Sequence, residues 1–221
     1  MKKDLTKIVF ILDQSGSMAF CKNDVIGGFN TFIEEQKLVE GEAILTLILF
    51  SDHDLQLFDN INIKDVEPLT DSTYVPSGMT ALYDAVGKAI DNTGIILHEM
   101  VEDDRPEKVL FVIMTDGEEN SSTTYTKSLV QEKTKHQQDK YNWEFIYLGA
   151  NQDAMCEAQA MGIHNYTNYT TGMNADGTDG TSSAYYTVSK CVSSFRSMGS
   201  VGDMPESIID SDGILNEINN K

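Results

Sequence analysis

The sequence predicts an α/β protein with a Rossmann-like, doubly wound, mostly parallel six-stranded sheet, one antiparallel edge strand and helices on both faces. Three observations predict it. Short apolar runs recur along the chain, the clearest being Ile8 to Leu12, Ala43 to Phe50 and Val109 to Met114. Continuous apolar runs of this length read as strands buried on both faces. Segments of helical period alternate with them. A carboxylate stands at the end of two of the runs, at Asp13 and Asp116. Open α/β sheets bind their ligands at that end of their strands.

Each element follows in chain order. Lys7 to Leu12 is the first strand. Val25, Phe29, Phe32 and Ile33 fall at helical spacing, so a helix covers roughly Asp24 to Val39, with Gly41 ending it. After Ala43 to Phe50, the polar turn Ser51 to Asp54 leads into Leu55 and Leu57, which alternate with polar neighbours. So short a connection implies a hairpin, hence an antiparallel strand at an edge. Asn60 to Gly78 reads as a long polar connection. Thr80 is placed to cap the next helix through its hydroxyl. Leu82, Ala85, Val86, Ala89 and Ile90 give that helix an apolar stripe. Glu102 to Pro106 is a charged loop before the strand Val109 to Met114. Tyr125, Leu129 and Val130 sit on a helix that ends before Trp143. Phe145 to Leu148 is a strand, Asp153 to Met161 a short helix stopped by Gly162, and Ile163 to Tyr169 a weakly alternating last strand. Thr171 to Ser182 is a loop, in which Asn174, Asp176 and Thr178 faintly echo a calcium loop without its Gly and closing Glu. Ala184, Tyr185, Val188, Cys191, Val192, Phe195 and Met198 form the final amphipathic helix.

Composition bounds the function. The 221 residues suffice for one α/β domain with a full core. The division expected is a domain over 1–198 and an acidic C-terminal extension over 199–221. In that extension Ile208, Ile209, Ile214, Leu215 and Ile218 are too apolar for a purely solvating tail, so it is expected to dock on the domain or a partner. The formal net charge is −19. Such a surface repels phosphate backbones and anionic lipid, which argues against nucleic acid and membrane as partners. Cys21, Cys156 and Cys191 are widely spaced and form no CxxC pair. They read as reduced thiols, and the expected location is the cytoplasm. The apolar stretch near the amino terminus ends after five residues at Asp13, too short for a signal peptide, and no segment approaches a membrane span.

The chemistry gathers at Asp13-Gln-Ser-Gly-Ser17. Asp13, Ser15 and Ser17 alternate with Gln14 and Gly16, so three oxygen donors can turn toward one point. Hard oxygen donors in a tight loop suit Mg²⁺ or Mn²⁺ rather than zinc. The four histidines are scattered and none pairs at ligand spacing. Taken singly, Asp13 and Thr80 each read more readily as a cap, and Ser-Gly-Ser as a loop.

The Asp-x-Ser-x-Ser pattern resembles the metal-ion-dependent adhesion site of von Willebrand factor type A domains. Thr80, in Pro76-Ser-Gly-Met-Thr80, and Asp116, in Thr115-Asp116-Gly117, fall where that family places its remaining ligands. The resemblance covers about residues 5 to 198. The wording Asp-Gln-Ser-Gly-Ser-Met and Thr-Asp-Gly-Glu-Glu-Asn is similar to stand-alone bacterial and phage members, loosely those of tellurium-resistance systems. The resemblance implies Ser15 and Ser17 as direct ligands, Thr80 direct or through water, and Asp13 and Asp116 supplying charge partly through water. It implies a metal-dependent protein-binding module, not an enzyme, in which a partner's Asp or Glu completes the metal shell. One alternative is a Mg²⁺-dependent hydrolase, but Ser15 stands where an aspartyl-phosphate hydrolase needs a second Asp as general acid. The other is a scaffold whose metal only braces loops.

Overall fold

The computed structural model describes residues 1–150, 154–172 and 180–198, with only the backbone for 54–56. Six strands form one sheet: β1 (Lys2–Asp13), β2 (Glu42–Phe50), β3 (Asp54–Asn62), β4 (Pro106–Thr115), β5 (Glu144–Gly149) and β6 (Asn165–Asn168). Their order is β3-β2-β1-β4-β5-β6. Only β3 runs antiparallel, paired with β2 at the edge. This is the doubly wound arrangement, and its direction reverses between β1 and β4. The tips of those two strands flank the crevice in which this architecture binds ligands.

The period-2 geometry of β1 explains the two layers of core. Ile8, Phe10 and Leu12 face one side, against α1 (Lys22–Lys37) and α5 (Gly180–Ser197). Val9 and Ile11 face the other, against α2 (Leu82–Glu99), α3 (Lys127–Tyr141) and α4 (Ala154–Ala160). With helices on both faces, the strand cannot alternate apolar with polar. Helix α1 approaches α5 closely because Gly28 leaves room for the ring of Tyr185. A methyl group there would overlap the ring at its root, where the side chain cannot swing away. Gly28→Ala is therefore expected to lower stability by about 2 kcal/mol despite the better helix propensity of Ala. Urea denaturation checks it, and an unchanged midpoint would show that the helix pair tolerates separation.

Two buried cations tie the helix ends together. Lys108 donates to the backbone carbonyls of Phe195, Arg196 and Met198, closing the carboxyl end of α5. Arg196 donates to the carbonyl of Gln36 in the last turn of α1 and to those of Val39 and Gly41 beyond it. Both satisfy orphan helix-end carbonyls with positive charge at the negative end of the dipole. Helix α1 thus ends at Lys37, ahead of Gly41, which shapes the turn into β2 with φ +86°.

Several boundaries differ from those the sequence suggests. Thr80 does not cap α2; its N-cap is Ala81, which makes no side-chain cap bond. Residues 60–78 are only partly a polar connection, since Ile63, Val66, Leu69 and Tyr74 are buried in the core. Isolated apolar residues without a period gave no warning of this. Tyr125 precedes α3, whose N-cap is Thr126. Its ring packs on Gly87, and its hydroxyl donates to Asp91 at 2.8 Å. Helix α5 opens at Gly180, inside the expected loop, because Gly and Thr are weak helix formers and hide a first turn. Asn174, Asp176, Thr178 and the 199–221 extension lie outside the described residues, as does Asp153. Among the described residues no helix is long and apolar enough to cross a membrane.

Candidate metal centre

Asp13 is the last residue of β1, and Asp116 follows the last residue of β4. Adjacent parallel strands thus bring two carboxylates to one end of the sheet, at the reversal of strand order. Ser15 and Ser17 lead from β1 into a 3₁₀ turn, Gly16–Cys21. Thr80 arrives on a third segment, just before α2. That segment is pinned to the first loop where Gly16 N–H donates to the Gly78 carbonyl at 3.1 Å and Ser77 N–H to the Gln14 carbonyl at 2.8 Å.

The structure brings four of the five expected residues into one chain of contacts and sets the fifth beside it. Asp13 is fully buried. One carboxylate oxygen accepts from Ser15 N–H at 2.7 Å, the other from the Thr115 hydroxyl at 2.5 Å. Ser15 Oγ and Ser17 Oγ lie 3.1 Å apart, and Ser17 Oγ donates to Asp116 Oδ1 at 2.6 Å. Thr80 is buried, and its hydroxyl reaches the same place: a Cβ added to Gly117 would lie 3.0 Å from Thr80 Oγ1 and 3.6 Å from Ser17 Oγ. A side chain at Gly117 would crowd the Thr80 hydroxyl.

Electrostatics and donor chemistry both fit a divalent cation. Burial pushes the Asp13 carboxyl up to about 6, against the opposing hydrogen bonds from Thr115 and Ser15, and the charge of Asp116 adds to the rise. Burial also raises Asp116, opposed by the Ser17 hydrogen bond. Neither carboxylate belongs to any ion pair among the described residues. The site therefore concentrates negative charge without a protein cation to balance it. The serine spacing suits a small ion, since oxygens on adjacent corners of an octahedron about 2.1 Å from its centre stand roughly 3 Å apart. Ser17 can keep its proton on Asp116 while its lone pairs remain free for an ion. Among the described residues no group of three or more His, Cys, Asp or Glu could hold a metal. Any ion here depends on hydroxyls.

Surrounding residues that the sequence did not single out hold this arrangement in place. Tyr74 donates from its hydroxyl to the Asp13 carbonyl at 2.6 Å. Asn120 Oδ1 accepts from Thr80 N–H at 2.9 Å. Glu119 braces the loop that follows Asp116. It accepts from the N–H groups of Ser121, Ser122 and Tyr83 and from the Ser122 hydroxyl. Asp84 accepts from the N–H groups of Thr123, Thr124 and Tyr125. Thr115 could have been found, since it directly precedes Asp116 in the motif. Tyr74 could have been suspected as an aromatic among polar residues. Glu119 and Asn120 stand in the Thr-Asp-Gly-Glu-Glu-Asn wording, but nothing in it shows what they hold, and Asp84 carries no local signal.

Asp84 supports a prediction. Burial alone would raise its carboxyl, but the three backbone donors, helped by Lys88, bring it below the ordinary value. A depressed folded value means stability that is present above the unfolded value near pH 3.9 and lost as pH falls through the folded one. Asp84→Ala should cost about 3 kcal/mol at neutral pH by leaving three N–H groups without an acceptor. The loss, read by urea denaturation, should shrink as the pH of the titration is lowered toward 3. A cost that is equal at pH 7 and 3 would contradict the role.

No family model and no curated protein matches the chain. Solved structures do. The vWF domain of the type V pili tip protein Mfa5 from Porphyromonas gingivalis matches with a TM-score of 0.61, covering 90% of this chain and 98% of that one at 10% identity. The chain has the von Willebrand factor type A fold. Two further neighbours carry metal in the structures concerned. The manganese-loaded TRAP protein of Plasmodium vivax matches at TM-score 0.56 and 19% identity, over 77% of this chain and 70% of that one. Proximal thread matrix protein 1 from the mussel byssus, with a zinc-occupied adhesion motif, matches at 0.53 and 14% identity. That match covers 85% of this chain but 46% of the mussel protein.

Proposed function

We propose that the chain is a divalent-metal-dependent protein-binding module. Asp13, Ser15, Ser17, Thr80 and Asp116 hold the ion, Mg²⁺ or Mn²⁺, and an Asp or Glu of a protein partner takes the position left open. The observation that carries this reading is the hydroxyl pair 3.1 Å apart, with Ser17 bonded to Asp116 on a partly exposed rim. Hydroxyl ligands are neutral, so the bound ion would supply an unspent positive charge at the surface. An outside carboxylate gains strong attraction there in a partly dry interface.

The enzyme alternative is disfavoured by Asp13 itself. Both its oxygens are engaged, by Ser15 N–H and the Thr115 hydroxyl, and the residue is buried. Its burial leaves little room for a substrate to approach it, and no acid stands at position 15. A purely bracing metal is disfavoured by the exposure of Ser17. Cytoplasmic residence and kinship with bacterial or phage members rest on the unpaired cysteines and the motif wording. Immobilised protein should capture a partner in Mg²⁺ and release it in chelator, with mass spectrometry identifying the eluate. Capture that is equal in chelator would overturn the reading.

A further inference from the structure

The metal face carries an unusual apolar rim. Among the described residues Phe20 is the most exposed large apolar side chain, at 96%. It lies three residues after Ser17 in the 3₁₀ turn Gly16–Cys21. Side chains three apart in a 3₁₀ helix eclipse one another, so Phe20 stands on the face that presents Ser17 to Asp116, about 6 Å further along the axis. On another side stands the segment 74–80. It is tied to the metal loop by Tyr74 on the Asp13 carbonyl and by the Ser77 and Gly78 backbone bonds. Met79 immediately precedes the expected ligand Thr80 and is 55% exposed, and Val75 follows Tyr74 at 51%. Tyr74 and Thr80 point inward while Val75 and Met79 point to solvent.

We propose that Phe20, Met79 and Val75 are the apolar shoulder of the binding face, and that the partner is a neutral or basic protein segment carrying one Asp or Glu within two residues of a large apolar side chain. The proposal rests on the metal-dependent reading above and names the chemistry of its partner. Charge sets the partner's overall sign. The chain carries −19, and Glu118 is exposed beside the site. An acidic segment would be repelled at long range, while a single carboxylate feels the ion only at close range. The apolar neighbour then distinguishes the right carboxylate from any other acidic surface residue.

Peptide selection tests this with the full chain. A random dodecapeptide library would be selected on wild type in Mg²⁺, on wild type in chelator, and on Phe20→Ser in Mg²⁺. Phe20 is exposed, so its loss should leave the fold intact. Wild type in Mg²⁺ should enrich Asp or Glu with a large apolar residue within two positions. Phe20→Ser should keep the acidic preference and lose the apolar one, and selected peptides should bind it about ten- to a hundredfold more weakly. Chelator should abolish the acidic preference. Acidic enrichment without an apolar neighbour, or an apolar preference unchanged in Phe20→Ser, would overturn the shoulder and leave the metal reading standing. No acidic enrichment in Mg²⁺ would overturn both.

Discussion

Asp13→Asn should abolish most divalent-metal binding while leaving the fold standing. The amide keeps the size of the carboxylate. Its oxygen can still accept from Ser15 N–H, and its NH₂ can donate to the Thr115 hydroxyl, which reverses its own role. What disappears is one of two charges at the site. Loss of such a charge should weaken Mg²⁺ or Mn²⁺ by about a hundredfold or more, at or beyond the upper end of effects seen for outer-shell partners. Two measurements read it. Calorimetric titration gives the affinity directly, and Asp116→Ala should fail similarly. Thermal melting gives linkage. Saturating Mg²⁺ should raise the wild-type midpoint by about 5 °C or more and leave Asp13→Asn where it was. Equal binding in wild type and both variants would place the ion elsewhere.

The second large effect is expected at the hydroxyls. Ser15→Ala with Ser17→Ala removes two neutral donors but no charge. Ser17 also holds Asp116, so its loss frees that carboxylate to swing toward the ion. The double variant should lose partner capture nearly completely, because the open position faces the rim that these hydroxyls shape. Residual ion binding through Asp13 and Asp116 should survive to a small degree. Capture at wild-type strength by the double variant would mean that the interface lies on another surface.

How much of this was legible in the sequence follows from what kind of information each feature carries. The buried strands were legible because burial on both faces forces unbroken apolar runs, as in Ile8 to Leu12 and Val109 to Met114. The antiparallel edge was legible because four polar residues after Phe50 allow only a hairpin. The closeness of Asp13 and Asp116 was legible because they stand at the ends of two strands that pair side by side, so strand order alone converts sequence motifs into neighbours. Residues that act on the backbone of a distant loop were not legible. Glu119, Asp84 and Asn120 hold N–H groups several residues or a whole element away, and such partners leave no period and no spacing. Thr80 shows the opposite error. A hydroxyl before a helix suggests a cap, yet Ala81 takes the N-cap position and the Thr80 hydroxyl lies beside Gly117. The buried cations Lys108 and Arg196 were also hidden, since a charge among apolar residues does not reveal that it will find helix-end carbonyls.

The most direct test of the central claim is a crystal structure grown in Mn²⁺ and acetate, with the metal located by anomalous scattering. One Mn²⁺ should be bound by Ser15, Ser17 and Thr80, with Asp13 and Asp116 in its immediate surroundings and an acetate oxygen, or a carboxylate of a neighbouring molecule, on the exposed side. A Mn²⁺ ion away from these residues, or one enclosed by protein ligands at every position, would contradict it.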